Sequence, residues 1–142
     1  MSLSNMDIMN ILKKSKLNIN DIIMRDHDRK LTKGFYIVNL DDSNGGGTHW
    51  TALYYDGLIN IYMDSFGMRP PKNIESLLTP RFMFNKEHIQ NIQSNLCGYY
   101  CILFIKMLNG SVNKINRFNE FVNMFYIPAR NEEILRKIFK LH

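Results

Sequence analysis

Apolar and polar residues follow different rhythms along this chain, and the changes of rhythm divide it into elements. From Ser4 to Lys16, Ile8, Ile11 and Leu12 recur at helical spacing and form one stripe. Ser4 is placed to cap that helix, with Asp7 three residues on as the second half of a capping box. The chain to about Lys33 has no regular period and reads as a loop. Phe35 to Leu40 is then dense in β-formers, and Asp41 to Gly47 is a turn-rich loop ending in three glycines. His49 to Tyr55 reads as a second strand, Asp56-Gly57 as a two-residue hairpin turn, and Leu58 to Asp64 as the returning strand. Gly67 to Pro71 breaks the sheet. Asn73 to Leu78 is a short helix, and Phe82-Met83-Phe84 is a candidate strand. The run Gly98 to Leu108 is apolar almost throughout, as in a buried helix, and Asn109-Gly110 closes it. Phe118, Phe121, Val122 and Phe125 mark a further helix that ends before Pro128. Asn131 is expected to cap the last one, with Glu132 and Glu133 in its first turn and Lys140 and His142 in its last.

These elements predict an α+β domain in which a small antiparallel sheet packs on the apolar helix. At 142 residues, with no internal repeat, the chain is expected to form a single domain over 1–142. Hydrophobic residues at 45% and charged residues at 22% are ordinary for a globular protein, so composition excludes disorder. No stretch approaches the ~18 apolar residues of a membrane span. The first residues, Met1 to Asp7, lack the pattern of a secretory signal, and two cysteines are too few for a disulfide scaffold. No Cys/His cluster has zinc-ligand spacing, so no metal site is expected.

The candidate chemistry lies where rhythms change. Cys97 follows a polar loop and opens the apolar helix. An unpaired helix N-terminus favours thiolate over thiol, so a Cys there can act as a nucleophile. A lone Cys in an apolar setting is more often a small core residue, and that is the expected role of Cys101 one turn on. What favours chemistry at Cys97 is a second pairing. Counting outward from the Asp56-Gly57 turn puts Tyr55 opposite Leu58 and His49 opposite Asp64, so imidazole and carboxylate can meet on one sheet face. Nucleophile, base and orienting acid are thus all available. Trp50 is expected in the core, with the further role of shielding the imidazole from water. His27, His88 and His142 have no evident partner.

Several of these segments together resemble one family. Gly46-Gly47-Thr48-His49-Trp50, then Asp64-Ser65-Phe66-Gly67, then Gln90 seven residues before Cys97-Gly98-Tyr99-Tyr100-Cys101 look like the adenovirus-type maturation protease, adenain-like and of the same clan as the deSUMOylating cysteine proteases. The resemblance implies a papain-like fold and a thiol endopeptidase. His49 would be the base, Asp64 the orienting acid, Gln90 the oxyanion donor and Cys97 the nucleophile, with Gly47 and Trp50 contacting substrate. Gln93 is a rival to Gln90 if the loop is read differently. The implied substrates are viral capsid or core precursor polypeptides, cut in the virion or at the host-cell site of assembly, nucleus or cytoplasmic factory, by an unsecreted monomer with no membrane partner. The Asn-, Ile- and Lys-rich composition fits an AT-rich genome, as in many large DNA viruses and virophages. The 67–90 segment is shorter than in that family and contains no Cys, so covalent attachment of an activating peptide is not expected. No cofactor is required on this reading, and DNA or a noncovalent peptide are candidate activators. Two other classes compete: an isopeptidase of the same clan acting on ubiquitin-like proteins, and a noncatalytic basic module that binds nucleic acid.

Charge bears on the last of these. The net charge is +5, spread along the chain with small knots at Lys13-Lys14-Ser15-Lys16 and from Arg25 to Lys33. Dispersed lysines usually only keep a surface soluble, but they also suit a polyanion. A short DNA duplex titrated by fluorescence anisotropy is expected to bind at low salt, without sequence preference and with affinity falling steeply as salt rises, because counterion release supplies the free energy. Absence of binding at low salt would remove nucleic acid from the partners.

Overall fold

The computed structural model describes residues 3–40, 49–91 and 95–141. Along the chain lie α1 (Asn5–Lys14), β1 (Asp21–Met24), β2 (Gly34–Asn39), β3 (Trp50–Tyr55), β4 (Ile61–Met63), α2 (Lys72–Leu78), β5 (Met83–Phe84), α3 (Cys97–Leu108), α4 (Lys114–Met124) and α5 (Pro128–Phe139). The strands form one sheet in sequence order, β1-β2-β3-β4-β5. The expected antiparallel core is present, since β2 pairs with β3 and β3 with β4 in that sense. The two edges depart from it: β1 runs parallel to β2, and β5 parallel to β4, so the sheet is mixed.

Alternation along the strands sends side chains to two cores. Phe35 and Ile37 of β2, Trp50, Ala52 and Tyr54 of β3, and Ile61 and Met63 of β4 face α3. Tyr36, Val38, Leu53 and Tyr62 point the other way, against Ile74 and Leu78 of α2 and against Leu31. Helix α3 is buried along nearly its whole length because it is wedged between the sheet and the C-terminal helices. Phe104 shows this best. Its ring meets Phe35 of the sheet edge-on at 6.4 Å and Phe118 and Phe121 of α4 at 5.7 and 5.9 Å.

Local signals place several elements as the sequence suggests. Ser4 caps α1 through a complete capping box with Asp7, an arrangement worth about 1 kcal/mol. Three expectations are corrected. The loop after α1 contains β1, a four-residue strand in which Ile23 alone is buried; pairing with β2 makes it, not its own pattern. Helix α5 starts at Pro128, which occupies the first turn where its missing N–H costs nothing, so Asn131 lies inside the helix and not at its cap. The third correction concerns the hairpin. The register is Ala52↔Met63, Leu53↔Tyr62 and Tyr54↔Ile61, two residues away from the pairing that a tight Asp56-Gly57 turn would give.

Side chains explain the wider loop. Asp56 Oδ1 accepts from the N–H groups of Leu58 and Ile59, and Asn60 Oδ1 accepts from those of Asp56 and Gly57. The Asn60 amide also donates to the carbonyls of Leu78 and Arg81, tying the hairpin to the end of α2. A slip of two residues preserves the face to which every side chain points, whereas a slip of one would reverse it. The ladder ends at Ala52↔Met63, and Asp64 leads from it into a turn.

Asn60 is 5% exposed and satisfies four backbone groups at once. Asn60→Ala is expected to destabilise the protein by about 2 kcal/mol, because backbone groups in a buried setting lose their partners. Urea denaturation checks this, and Asn60→Asp, which would face the Leu78 and Arg81 carbonyls with a buried carboxylate, should lose at least as much.

Candidate active site

The sheet and α3 converge at the end of the hairpin away from its loop. His49 immediately precedes β3, and its carbonyl accepts from the Leu40 N–H, which continues the β2–β3 ladder to that point. Asp64 immediately follows β4. The imidazole Nε2 and Asp64 Oδ1 are 2.7 Å apart, so the two residues meet as the sequence suggests, although diagonally across the strands and not directly opposite. Phe66, in the turn after β4, stacks its ring on the imidazole with centroids 4.6 Å apart. His88 in turn meets Phe66 edge-on at 5.4 Å.

Asp64 is 2% exposed, and a buried carboxylate must have its oxygens met. Oδ1 accepts from His49 and from the Phe66 N–H at 2.8 Å. The backbone of Asp64 is clasped by Asn85: its N–H donates to Asn85 Oδ1 at 3.0 Å, and its carbonyl accepts from Asn85 Nδ2 at 2.6 Å. The chain then turns sharply, with the Gly67 N–H returning to the Asp64 carbonyl. Gly67 has φ +74°, and a Cβ there would lie 2.8 Å from the Lys86 carbonyl oxygen and 2.9 Å from that of Glu87. Only glycine allows the 64–67 turn and the 86–87 segment to approach so closely.

That approach delivers Gln90. The Ser65 carbonyl accepts from the N–H groups of both Ile89 and Gln90 at 2.8 Å, and the Ser65 hydroxyl donates to Gln90 Oε1 at 2.5 Å. From the other side, Asn131 of α5 donates to the Ile89 carbonyl at 2.9 Å and to the Phe125 carbonyl at 3.1 Å. An open cavity of about 400 Å³ lies beside this segment, lined by His88, Gln90, Asn91, Pro128 and Ala129.

Cys97 opens α3, so its sulfur stands at the positive end of the helix dipole, while the N–H groups of Tyr99 and Tyr100 donate to the Leu96 carbonyl. The Cys97 thiol lies near enough to His49 to help hold the imidazole in its charged form. The imidazole is therefore bonded to a carboxylate and has a thiol for a neighbour. Burial disfavours the charged ring, but the hydrogen bonds and charges of Asp64 and Cys97 outweigh it, and the pKa of His49 is pushed from 6.5 up to about 9. Cys101, one turn along, is fully buried, and burial together with the nearby Cys97 and Asp64 raises its thiol pKa well above the ordinary value. Both cysteines are free.

Among the residues singled out from the sequence, His49, Asp64 and Cys97 are brought together directly, and Gln90 is joined to them through Ser65. Trp50 is corrected. It is 2% exposed and its indole N–H donates to the Leu3 carbonyl at 2.9 Å, so it packs in the core and offers substrate no surface. Gly47 and Gln93 lie outside the described residues. Sequence reasoning missed Ser65, Phe66, Asn85 and Asn131 as parts of the site. The Asp64-Ser65-Phe66-Gly67 block held two of them in plain view; Asn85 and Asn131 left no local signal. Among the described residues no group of three or more His, Cys, Asp or Glu could hold a metal ion, and no helix is long and apolar enough to cross a membrane.

No protein family matches the sequence, and neither does any curated protein. Among solved structures, the ASFV pS273R protease is similar at 18% identity with a TM-score of 0.42; the match covers 66% of this chain and 44% of that one.

Proposed function

We propose that this protein is a cysteine peptidase in which Cys97 attacks a peptide carbonyl and His49 manages the protons. The observation that carries the proposal is one imidazole bonded to a buried carboxylate, near a thiol at the start of a helix. A noncatalytic binding module needs none of these groups in register.

The chemistry follows from the bonds. Because Nε2 faces Asp64, Nδ1 is the nitrogen left for the thiol. Asp64 stabilises the ring in its charged form, so His49 can take the proton of Cys97 as the sulfur attacks. As the S–C bond forms, the carbonyl electrons move to oxygen. The backbone N–H of Cys97 and the side-chain amide of Gln90 are the donors for that oxyanion, each typically worth ~3 kcal/mol in such a role. The imidazolium then gives its proton to the departing amine as the C–N bond breaks. Water, deprotonated by the now neutral His49, attacks the thioester and releases the acid. Phe66 covers one face of the imidazole and limits its access to bulk water. The cavity beside Gln90 gives an extended substrate room to lie. The substrate class rests on the motif resemblance: precursor polypeptides of a virus, cut at small, Gly-containing sites during particle maturation.

Two measurements test this. Cys97→Ala is expected to abolish hydrolysis of a peptide library and of candidate precursors while leaving the fold intact, whereas Cys101→Ala stays active. Iodoacetamide should modify Cys97 ahead of Cys101. Full activity in Cys97→Ala, or faster labelling of Cys101, would overturn the proposal.

The second concerns pH. Since the imidazolium donates to the leaving amine, the rate should fall as pH rises through about 9. The same shift bears on stability. A folded pKa raised above 6.5 stabilises the protein fully below about pH 6.5, and this contribution is lost as pH rises through about 9. Asp64→Asn removes a charge and weakens a hydrogen bond that both raise the value. The ring titration, followed by NMR at its C–H protons, should then move down towards 6.5. An unchanged titration would show that Asp64 does not hold the ring.

A further inference from the structure

We infer that Ser65 is a positioning residue whose hydroxyl decides which end of the Gln90 side-chain amide faces the reacting carbonyl. This inference rests on the peptidase reading above and deepens it. Gln90 is 1% exposed, and its backbone is already fixed by the Ser65 carbonyl on one side and, through Ile89, by Asn131 on the other. Backbone anchoring does not orient the amide. The last torsion of a glutamine is broad and nearly two-fold, so oxygen and nitrogen exchange places at little cost unless a neighbour distinguishes them. An oxyanion requires the nitrogen; the oxygen in its place would repel it.

The Ser65 hydroxyl makes that distinction. Its separation of 2.5 Å from the amide lies at the short end of the O–H···O range and below the N–H···O range, which identifies the contacting end as the carbonyl oxygen. With Oε1 held as an acceptor, the amide nitrogen points the other way. Ser65 is itself 0% exposed and lies next to Asp64 in the chain, so its position is set by the clasp that Asn85 places on the Asp64 backbone. One backbone segment therefore orients the base through Asp64 and the oxyanion donor through Ser65. Ser65 itself touches neither substrate nor sulfur on this account.

A double-mutant cycle on the full chain tests the inference, with kcat and KM measured on a peptide that the wild type cleaves. Ser65→Ala is expected to lower kcat about tenfold with KM changed less than about twofold, because the oxyanion exists only after attack. Gln90→Ala should lower kcat about a hundredfold. In the Gln90→Ala background, adding Ser65→Ala should change kcat by less than about twofold, since Ser65 acts through an amide that is no longer there. A merely structural role would give losses that multiply, and that result would overturn the inference while leaving the peptidase reading in place. Failure of the wild type to cleave any peptide would overturn both. Should Ser65→Ala fail to fold, as judged by circular dichroism, Ser65→Thr keeps the hydroxyl and must retain a kcat within about threefold of wild type; a larger loss overturns the inference.

Discussion

A carboxylate can be taken out of water only if the protein meets its oxygens and holds its backbone, and Asp64 imposes that demand on everything around it. Its partners are His49, the Phe66 N–H and the Asn85 side chain, drawn from two strand ends and a segment more than twenty residues on. The cost of burying an unmet charge far exceeds the cost of ordering these groups. The hairpin and the 64–67 turn are therefore bound by that electrostatic requirement, and Asn85 adds the 85–90 segment through the Asp64 backbone.

The same requirement links two tasks that are separate in chemistry. A base must be oriented before attack, and a donor must be in place after it. In this fold both depend on adjacent residues of one tight turn. The stack of His49, Phe66 and His88 adds a packing constraint between the same pieces. Helix α5 contributes from outside through Asn131, which has no part in the sheet yet holds the residue before Gln90. The precision of the site is thus shared among strand ends, a glycine turn and a distant helix, and no single element supplies it.

What could be read from the sequence follows from how local each cause is. The capping box of α1, the strands β2 and β3 and the apolar helix α3 rest on neighbours within a few residues, and all three were legible. The meeting of His49 with Asp64 was legible too, because strand alternation preserves faces even when the register moves by two. The register itself was not, because Asn60 ties the hairpin to Leu78 and Arg81, and those tertiary bonds outweigh the preference of Asp56-Gly57 for a two-residue turn. Strand β1 was missed because its pattern is weak and its partner makes it. Asn131 was misread as a cap, although Pro128 offers an earlier start. The bonds of Ser65 and Asn85 span 25 and 21 residues and leave no periodic trace.

The placement of Trp50 has a spectroscopic consequence. It is the sole tryptophan of the chain, sealed in the core with its N–H on the Leu3 carbonyl and adjacent in sequence to His49. Leu3 also packs over Gly98, the residue after Cys97, where a Cβ would come within 2.9 Å of its side chain. Intrinsic fluorescence therefore arises from one indole that bridges the strand carrying the imidazole and the segment lying over the start of the thiol-bearing helix. Its emission reports on the junction between the two halves of the site, without a label and without a competing fluorophore of its kind.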